Sequence, residues 1–459
     1  MSNFSISDLK ECSNIHMIGI GGISMSALAE ILLHFGYSVT GSDSKSSDLI
    51  KTLESNGAKI TIGQSADNIK SPDLVCYTAA ISDTDPELQK ARTLGVPVIE
   101  RAELLGAIME KYDYPIAIAG THGKTTTTSM MSLVLMAAKC DPTILVGGEL
   151  SQIGGNYHVG GTKYLPFEAC EYVESFLHFK PYISIITNVE EDHLDYFTGL
   201  QHIISSFEKF ARLTSPLGCN IVCSDDKNAC EVVKNAQGNI LYYGIKSEKS
   251  DYIAKNIKYT NEGLPKFDIY HKDKFVTSVA LNVAGDHNIL NSLGVAAAAE
   301  YLGISPEYIK AGLEDFSGTK RRFDYLGKCG EFHVVDDYAH HPTEIKATLN
   351  TAKGMPYNTI WVVFQPHTYT RTKSLFPDFA DALNLADKLI ITDIYAAREK
   401  YDGTIHSCDL ALEIPKAIYM NDMDAIKKYI KKNAKENDLI ITMGAGDVYK
   451  IGYSLIDGK

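Results

Sequence analysis

Along most of this chain, short apolar runs rich in β-branched residues alternate with segments whose apolar positions return every three or four residues. That alternation predicts strand followed by helix, and so an α/β architecture with largely parallel sheets. Ile15-His-Met-Ile-Gly-Ile20 reads as a buried strand, the stretch from Ser24 to about Phe35 as a helix, and Tyr37–Thr40 as a second strand. Leu74–Thr78 and Val96–Glu100 read as later strands, and a helix ending near Lys111 closes a first module, residues 1–112. The second module, 113–317, opens with Ile116-Ala-Ile-Ala119 and continues through Ile183–Thr187, Asn220–Cys223 and an alanine-rich helix from Gly294 to Leu302. A polar, glycine-marked junction at Ser317-Gly-Thr-Lys-Arg-Arg322 introduces the third, 318–459, with strands at Phe332–Val335, Thr359–Phe364, Lys388–Thr392 and Asp438–Thr442. Three modules suit 459 residues at roughly 150 per domain.

Polar and glycine-rich turns follow these strands, and in open α/β sheets ligands bind at strand carboxyl ends. The most informative turn is Gly120-Thr-His-Gly-Lys-Thr-Thr-Thr127, which leads from a strand into a helix-compatible stretch. Backbone N–H groups at a helix N-terminus, the Lys124 charge and a hydroxyl able to hold Mg²⁺ make a phosphate cradle. The common pattern G-x-x-x-x-G-K-[ST] has glycine where this chain has Ile118, so the loop is a variant. Gly19-Ile-Gly21-Gly22-Ile-Ser24 follows the first strand, with Asp43 about 20 residues on, as in a nucleotide-binding βαβ unit. Thr187-Asn-Val-Glu190-Glu191-Asp192-His193-Leu-Asp195 and the upstream Glu168-Ala-Cys-Glu171 offer carboxylates suited to Mg²⁺ beside nucleotide phosphates. Two more strand-end clusters, Asp336-Asp-Tyr338-Ala-His340-His341-Pro-Thr-Glu344 and Gln365-Pro-His367-Thr368-Tyr-Thr-Arg371, carry histidine and arginine suited to a carboxylate, a phosphoryl group or an amine.

Composition narrows the class. A net charge of −13 disfavours non-specific binding to nucleic acid or anionic membranes. The nine cysteines form no C-x-x-C pair, which argues against zinc ribbons and thioredoxin chemistry and for reduced thiols in a cytoplasmic protein. No apolar run approaches the ~20 residues of a membrane span, so no membrane insertion is expected.

Taken together these motifs resemble the Mur ligase family, the ATP-dependent amide-forming enzymes of peptidoglycan precursor synthesis. The resemblance covers nearly the whole chain. Its marks are Gly19-Ile-Gly-Gly-Ile-Ser-Met25, Gly120–Thr127, His287-Asn-Ile-Leu-Asn291, Asp336–Glu344 and Phe364-Gln-Pro-His-Thr-Tyr-Thr-Arg-Thr372. The last two point to the branch that joins L-alanine to UDP-N-acetylmuramate.

The resemblance implies three domains: a Rossmann-like UDP-binding domain, a central P-loop ATPase-like domain and a Rossmann-like C-terminal domain. It implies Gly19, Gly21, Gly22, Ser42 and Asp43 at the UDP-sugar. ATP would lie on Gly120, Thr121, His122, Gly123, Lys124, Thr125, Thr126, Asn288, Asn291 and Arg322. Mg²⁺ would lie on Thr125, Glu168 and His193, with Glu171 as a substitute for Glu168, and the amino acid on Tyr338, His340, His367 and Arg371. Lys124, Arg322, His340 and Arg371 would carry the chemistry, in a monomer or homodimer. Two departures stand out: Glu168-Ala-Cys-Glu-Tyr-Val173 replaces a Glu-Ala-Asp-Glu-Ser-Asp pattern, and Thr368 stands where relatives often have arginine. Two other readings are an oxidoreductase using the first glycines for NAD, and a ligase that reattaches a ready-made tripeptide.

Overall fold

The computed structural model describes residues 4–457 except positions 79, 261, 398 and 402. Three sheets carry the fold. In the N-terminal sheet the strands Lys59–Ile62, Ser38–Asp43, Asn14–Ile18, Leu74–Tyr77 and Val98–Glu100 lie side by side in that order, all parallel. The chain reverses direction of growth beside Asn14–Ile18, so a crevice opens at its carboxyl end. Gly19–Gly22 turns there into the helix Ile23–His34.

The central sheet has ten strands. Tyr114–Ala119 runs parallel between Tyr164–Glu168 and Ile183–Ile186, and Cys219–Cys223 and Asn239–Gly244 extend the parallel part. Both edges differ from the predicted pattern. One carries an antiparallel ribbon of Tyr252–Tyr259, Pro265–His271 and Lys274–Ala280; the other carries the hairpin Ile144–Leu150 and Gly155–His158. In the C-terminal sheet the order is Asp324–Cys329, Phe332–Asp337, Leu439–Met443, Ile360–Phe364, Lys388–Ile391 and Ala417–Tyr419. Its first pair is antiparallel and the rest are parallel.

The helix Lys124–Ala137 places the phosphate loop. Its residues Thr127–Leu135 are buried, because it lies over the central sheet with the helices Asp286–Tyr301 and Pro306–Asp315 packed beside it. The helix Asp286–Tyr301 starts earlier than Gly294. Gly285, at φ 98°, breaks the preceding chain, and Asp286 complements the positive helix end. His287, Asn288 and Asn291 therefore lie in its first two turns, facing the phosphate loop.

Gly312 lets the helix Pro306–Asp315 approach the backbone of Val134, where a Cβ would collide with main-chain atoms. Gly312→Ala gains up to about 1 kcal/mol in helix propensity but forces the two helices apart, an overpacking cost of about 1–3 kcal/mol. The substitution is expected to lower the first thermal unfolding midpoint; an unchanged or raised midpoint would contradict this packing.

Candidate active site between the central and C-terminal domains

The phosphate loop is pinned from the end of the neighbouring strand. Asn188 O accepts from Thr121 N at 3.1 Å, and Asn188 Oδ1 accepts from His122 N at 2.8 Å. Thr187 Oγ1 and Asn188 Nδ2 both donate to His122 O, at 2.6 and 3.0 Å. Gly120, at φ 140°, passes so close to Thr187 that a side chain would strike its hydroxyl. Gly123, at φ 86°, caps the helix and leaves room for Asn291 Oδ1. Asn291 in turn donates to Asn288 Oδ1 at 3.3 Å. A cavity of about 840 Å³ opens beyond the loop, within the range of small-molecule sites. His122, Gly123, Thr125, Thr126, Asn288, Asn291 and Arg322 line it, bringing together most of the residues expected at ATP.

Each cation at this cleft meets a protein carboxylate. Lys124 Nζ lies 3.0 Å from Glu171 Oε2 and also donates to Gly120 O and Thr121 O. Burial works against the lysine's charge, but Glu171 outweighs it and raises the pKa. Glu171 is itself buried, and its Oε1 is 3.7 Å from His193 Nε2, whereas Glu168 Oε1 accepts from Gly147 N at 2.6 Å. Of the two glutamates, Glu171 thus stands with Lys124 and His193. His122 bridges the two domains: Nδ1 is 3.2 Å from Glu344 Oε1 and Nε2 is 3.4 Å from Glu190 Oε2. Burial disfavours its charge, yet Glu344 and Glu190 push its pKa up to about 9. His122, Glu190 and His341 place three ligand-type atoms within 4.8 Å of one another. With His122 protonated and His341 Nε2 donating to Glu191 O at 3.0 Å, the group is an ion-pair network.

Further along the same interface lie Tyr338, His340, His367 and Arg371. The strand Phe332–Asp337 and the helix start at Pro342 position His340, whose Nδ1 donates to Tyr338 O at 3.0 Å. That leaves Nε2 as a bare lone pair. Burial presses its pKa down to about 3, Glu344 opposing and Arg371 adding to the fall, so the ring is neutral. His367 is 5.7 Å from His340 between ring centroids. Arg371 reaches across the domain boundary to Asp192, with Nε and Nη2 at 2.9 and 2.6 Å from Oδ1. Thr368 caps the helix that carries Arg371, accepting from Arg371 N at 3.4 Å, and brings no charge. Arg322 donates to Glu344 Oε1 at 3.4 Å and lies 5.1 Å from the Tyr338 ring.

In the N-terminal crevice Gly19 N and Ile20 N donate to Ser42 O, at 2.8 and 3.1 Å, and Gly21 N donates to Asp43 Oδ2 at 2.9 Å. Ser42 corrects one expectation. Its hydroxyl is fully buried and donates to Glu87 Oε2 at 2.7 Å, so it faces the core and not a ligand. A period-two strand pattern permits either face, and the buried Glu87 decides it. Glu190 and Asp192 belong to the acidic turn expected to offer carboxylates to Mg²⁺, and here they pair with His122 and Arg371. Glu344 carries no expected role, and its spacing of four from His340 is the signal that could have found it.

The comparisons fit this geometry. Family models match in succession: the Mur ligase family catalytic domain over residues 14–113, the Mur ligase middle domain over 118–299, and the Mur ligase glutamate ligase domain over 321–446. The chain belongs to the Mur ligase family. Among its curated relatives, the UDP-N-acetylmuramate–L-alanine ligase of Acetivibrio thermocellus is 50% identical, covering 100% of this chain and 99% of that one. The enzyme of the same name from Caldanaerobacter subterraneus is 50% identical over 98% of each. The solved UDP-N-acetylmuramate–alanine ligase of Thermotoga maritima superposes with a TM-score of 0.79 at 31% identity, over 97% of this chain and 98% of that one. A murein peptide ligase from Psychrobacter arcticus superposes with 0.72 at 26%, over the same shares. No helix among the described residues is long and apolar enough to cross a membrane.

The His122 bridge has a pH signature. Its pKa is raised above the ordinary 6.5 on folding, so its stabilisation is complete below about 6.5 and is lost as pH rises through about 9. The gap in thermal midpoint between wild type and His122→Gln should therefore close between these values. A gap that is constant across this window would contradict the bridge.

Proposed function

We propose that the protein joins L-alanine to the lactyl carboxylate of UDP-N-acetylmuramate at the expense of ATP. The observation that carries this reading is the row of Lys124, Arg322, His340 and Arg371 along one interdomain cleft, beside a cavity large enough for a nucleotide. The full-length likeness to L-alanine ligases supports it, and favours it over the tripeptide-adding and NAD-dependent readings.

ATP takes the cavity, its phosphates on the loop Gly120–Thr126 and the helix N-terminus. The hard oxygen donors at hand, Thr125 with Glu168 or Glu171, suit Mg²⁺. Bound there, the ion would neutralise charge on the phosphates. The sugar's carboxylate oxygen attacks the γ-phosphorus and the bond to the β-phosphate oxygen breaks, giving an acyl phosphate and ADP. Lys124 exchanges Glu171 for the transferring phosphoryl, and Arg322 turns from Glu344 toward it. The neutral amine of alanine then attacks the acyl carbon, His340 Nε2 accepts the one proton the nitrogen sheds as the amide forms, and inorganic phosphate leaves. A neutral His340 is required for that step, and burial supplies it. The UDP end lies on the Gly19–Gly22 turn and Asp43. Closure of the domains keeps water from the acyl phosphate.

Phosphate release should require UDP-N-acetylmuramate and L-alanine together; release with neither, or with a tripeptide in place of alanine, would sink this assignment. Lys124→Ala should abolish turnover in a folded protein. His340→Ala should raise the alanine KM or lower kcat with ATP affinity unchanged, and a loss confined to ATP affinity would remove His340 from the amine site.

A further inference from the structure

Arg371 belongs to the C-terminal domain, yet its firmest contact is with the central domain. Asp192 is 7% exposed and Arg371 9%, and two of the guanidinium's nitrogens converge on one Asp192 oxygen. That oxygen also accepts from His193 N at 2.7 Å, which fixes it in place. Such a grip leaves Arg371 few orientations. Its third nitrogen, Nη1, points at His367 Nδ1 from 3.0 Å.

An arginine has donors only. His367 Nδ1 must therefore be the acceptor, and the ring proton must lie on Nε2. Burial, reinforced by the Arg371 charge, presses the His367 pKa down to about 4, so the ring is neutral and holds this one tautomer. His340, beside it, holds the opposite one, with its proton on Nδ1. The two rings thus differ by design of their partners: His340 presents a bare nitrogen, His367 an N–H donor.

We propose that Asp192 is a positioning residue that acts across the domain boundary, aiming Arg371 so that it sets the His367 tautomer and completes the amino-acid site only when the two domains are closed. This rests on the assignment of that site to the incoming amino acid. Three of the five N–H groups of Arg371 are committed to Asp192 and His367 among the described residues. One on each terminal nitrogen remains for the substrate carboxylate. Without Asp192, Arg371 rotates freely, His367 samples both tautomers, and the amine side suffers while the phosphate loop does not.

The test is steady-state kinetics of Asp192→Asn with alanine and ATP varied in turn, joined to nitrogen-15 spectra of the full chain labelled at histidine. His367 signals are assigned by their loss in His367→Gln. The alanine KM should rise about tenfold to a hundredfold, with the ATP KM within about twofold, and His367 should move from a pure Nε2–H spectrum toward a tautomeric average. Arg371→Lys keeps a charge for Asp192 but lacks the second arm. It should release the tautomer in the same way, and it carries the test if Asp192→Asn does not fold. An unaltered tautomer in either variant overturns the proposal, as does an equal rise in both KM values. A fall in the alanine KM also overturns it, since Asp192 would then be a competitor for the substrate carboxylate. Wild-type protein that makes no amide from alanine would instead refute the ligase assignment.

Discussion

The site depends on one loop whose backbone is held from outside itself. Gly120 and Gly123 both sit at positive φ, and the turn between them has no helix or ladder to satisfy its backbone. Thr187 and Asn188, at the end of the next parallel strand, supply the missing partners. The same two residues lead directly into Glu190, Asp192 and His193. A single strand end therefore fixes the phosphate loop and presents the carboxylates that meet the C-terminal domain. Moving that strand by one residue would displace both.

Charge pairing explains how this cleft stays closed with cations gathered in it. An unpaired buried charge costs several kcal/mol, so Lys124, His122, Arg322 and Arg371 each lean on a carboxylate: Glu171, Glu190 with Glu344, Glu344, and Asp192. Glu344 serves two of them. Lys124–Glu171 and Arg322–Glu344 are the pairs that the proposed mechanism exchanges for phosphate oxygens, while Arg371 keeps Asp192. Two of these contacts, His122–Glu344 and Arg371–Asp192, run from the central domain to the C-terminal one, so charge pairing as well as packing holds the two together.

Much of this was legible in the sequence because it is local. Strand, glycine turn and helix occur within a dozen residues at Gly120 and at Gly19, and a period of two or of 3.6 marks each element. The antiparallel ribbon is absent from the predicted elements: Lys266-Phe-Asp-Ile269 alternates, but its charged face dilutes the signal. What was not legible is contact between distant segments. Asp192 and Arg371 stand 179 residues apart, and nothing in either neighbourhood names the other. Ser42 shows the same limit at short range: its strand was identifiable, but the buried Glu87 that turns the hydroxyl inward comes from a separate helix.

The variation at Ile118 and at Thr368 follows from geometry. Ile118 is a fully buried strand residue, paired with Ile185 on one side and Glu168 on the other, so the strand continues to Ala119 before the turn begins. Glycine at 118 would serve no turn and would leave a hole in the core. Thr368 sits at φ 63°, a strained conformation for a β-branched residue, and its hydroxyl caps the helix of Arg371. An arginine in its place would add a cation but remove the cap. This chain keeps the cap, and on the proposed assignment carboxylate recognition then falls to the Arg371 guanidinium. Such a choice makes the aim of that guanidinium decisive, and Asp192, from the opposite domain, is the group that holds it.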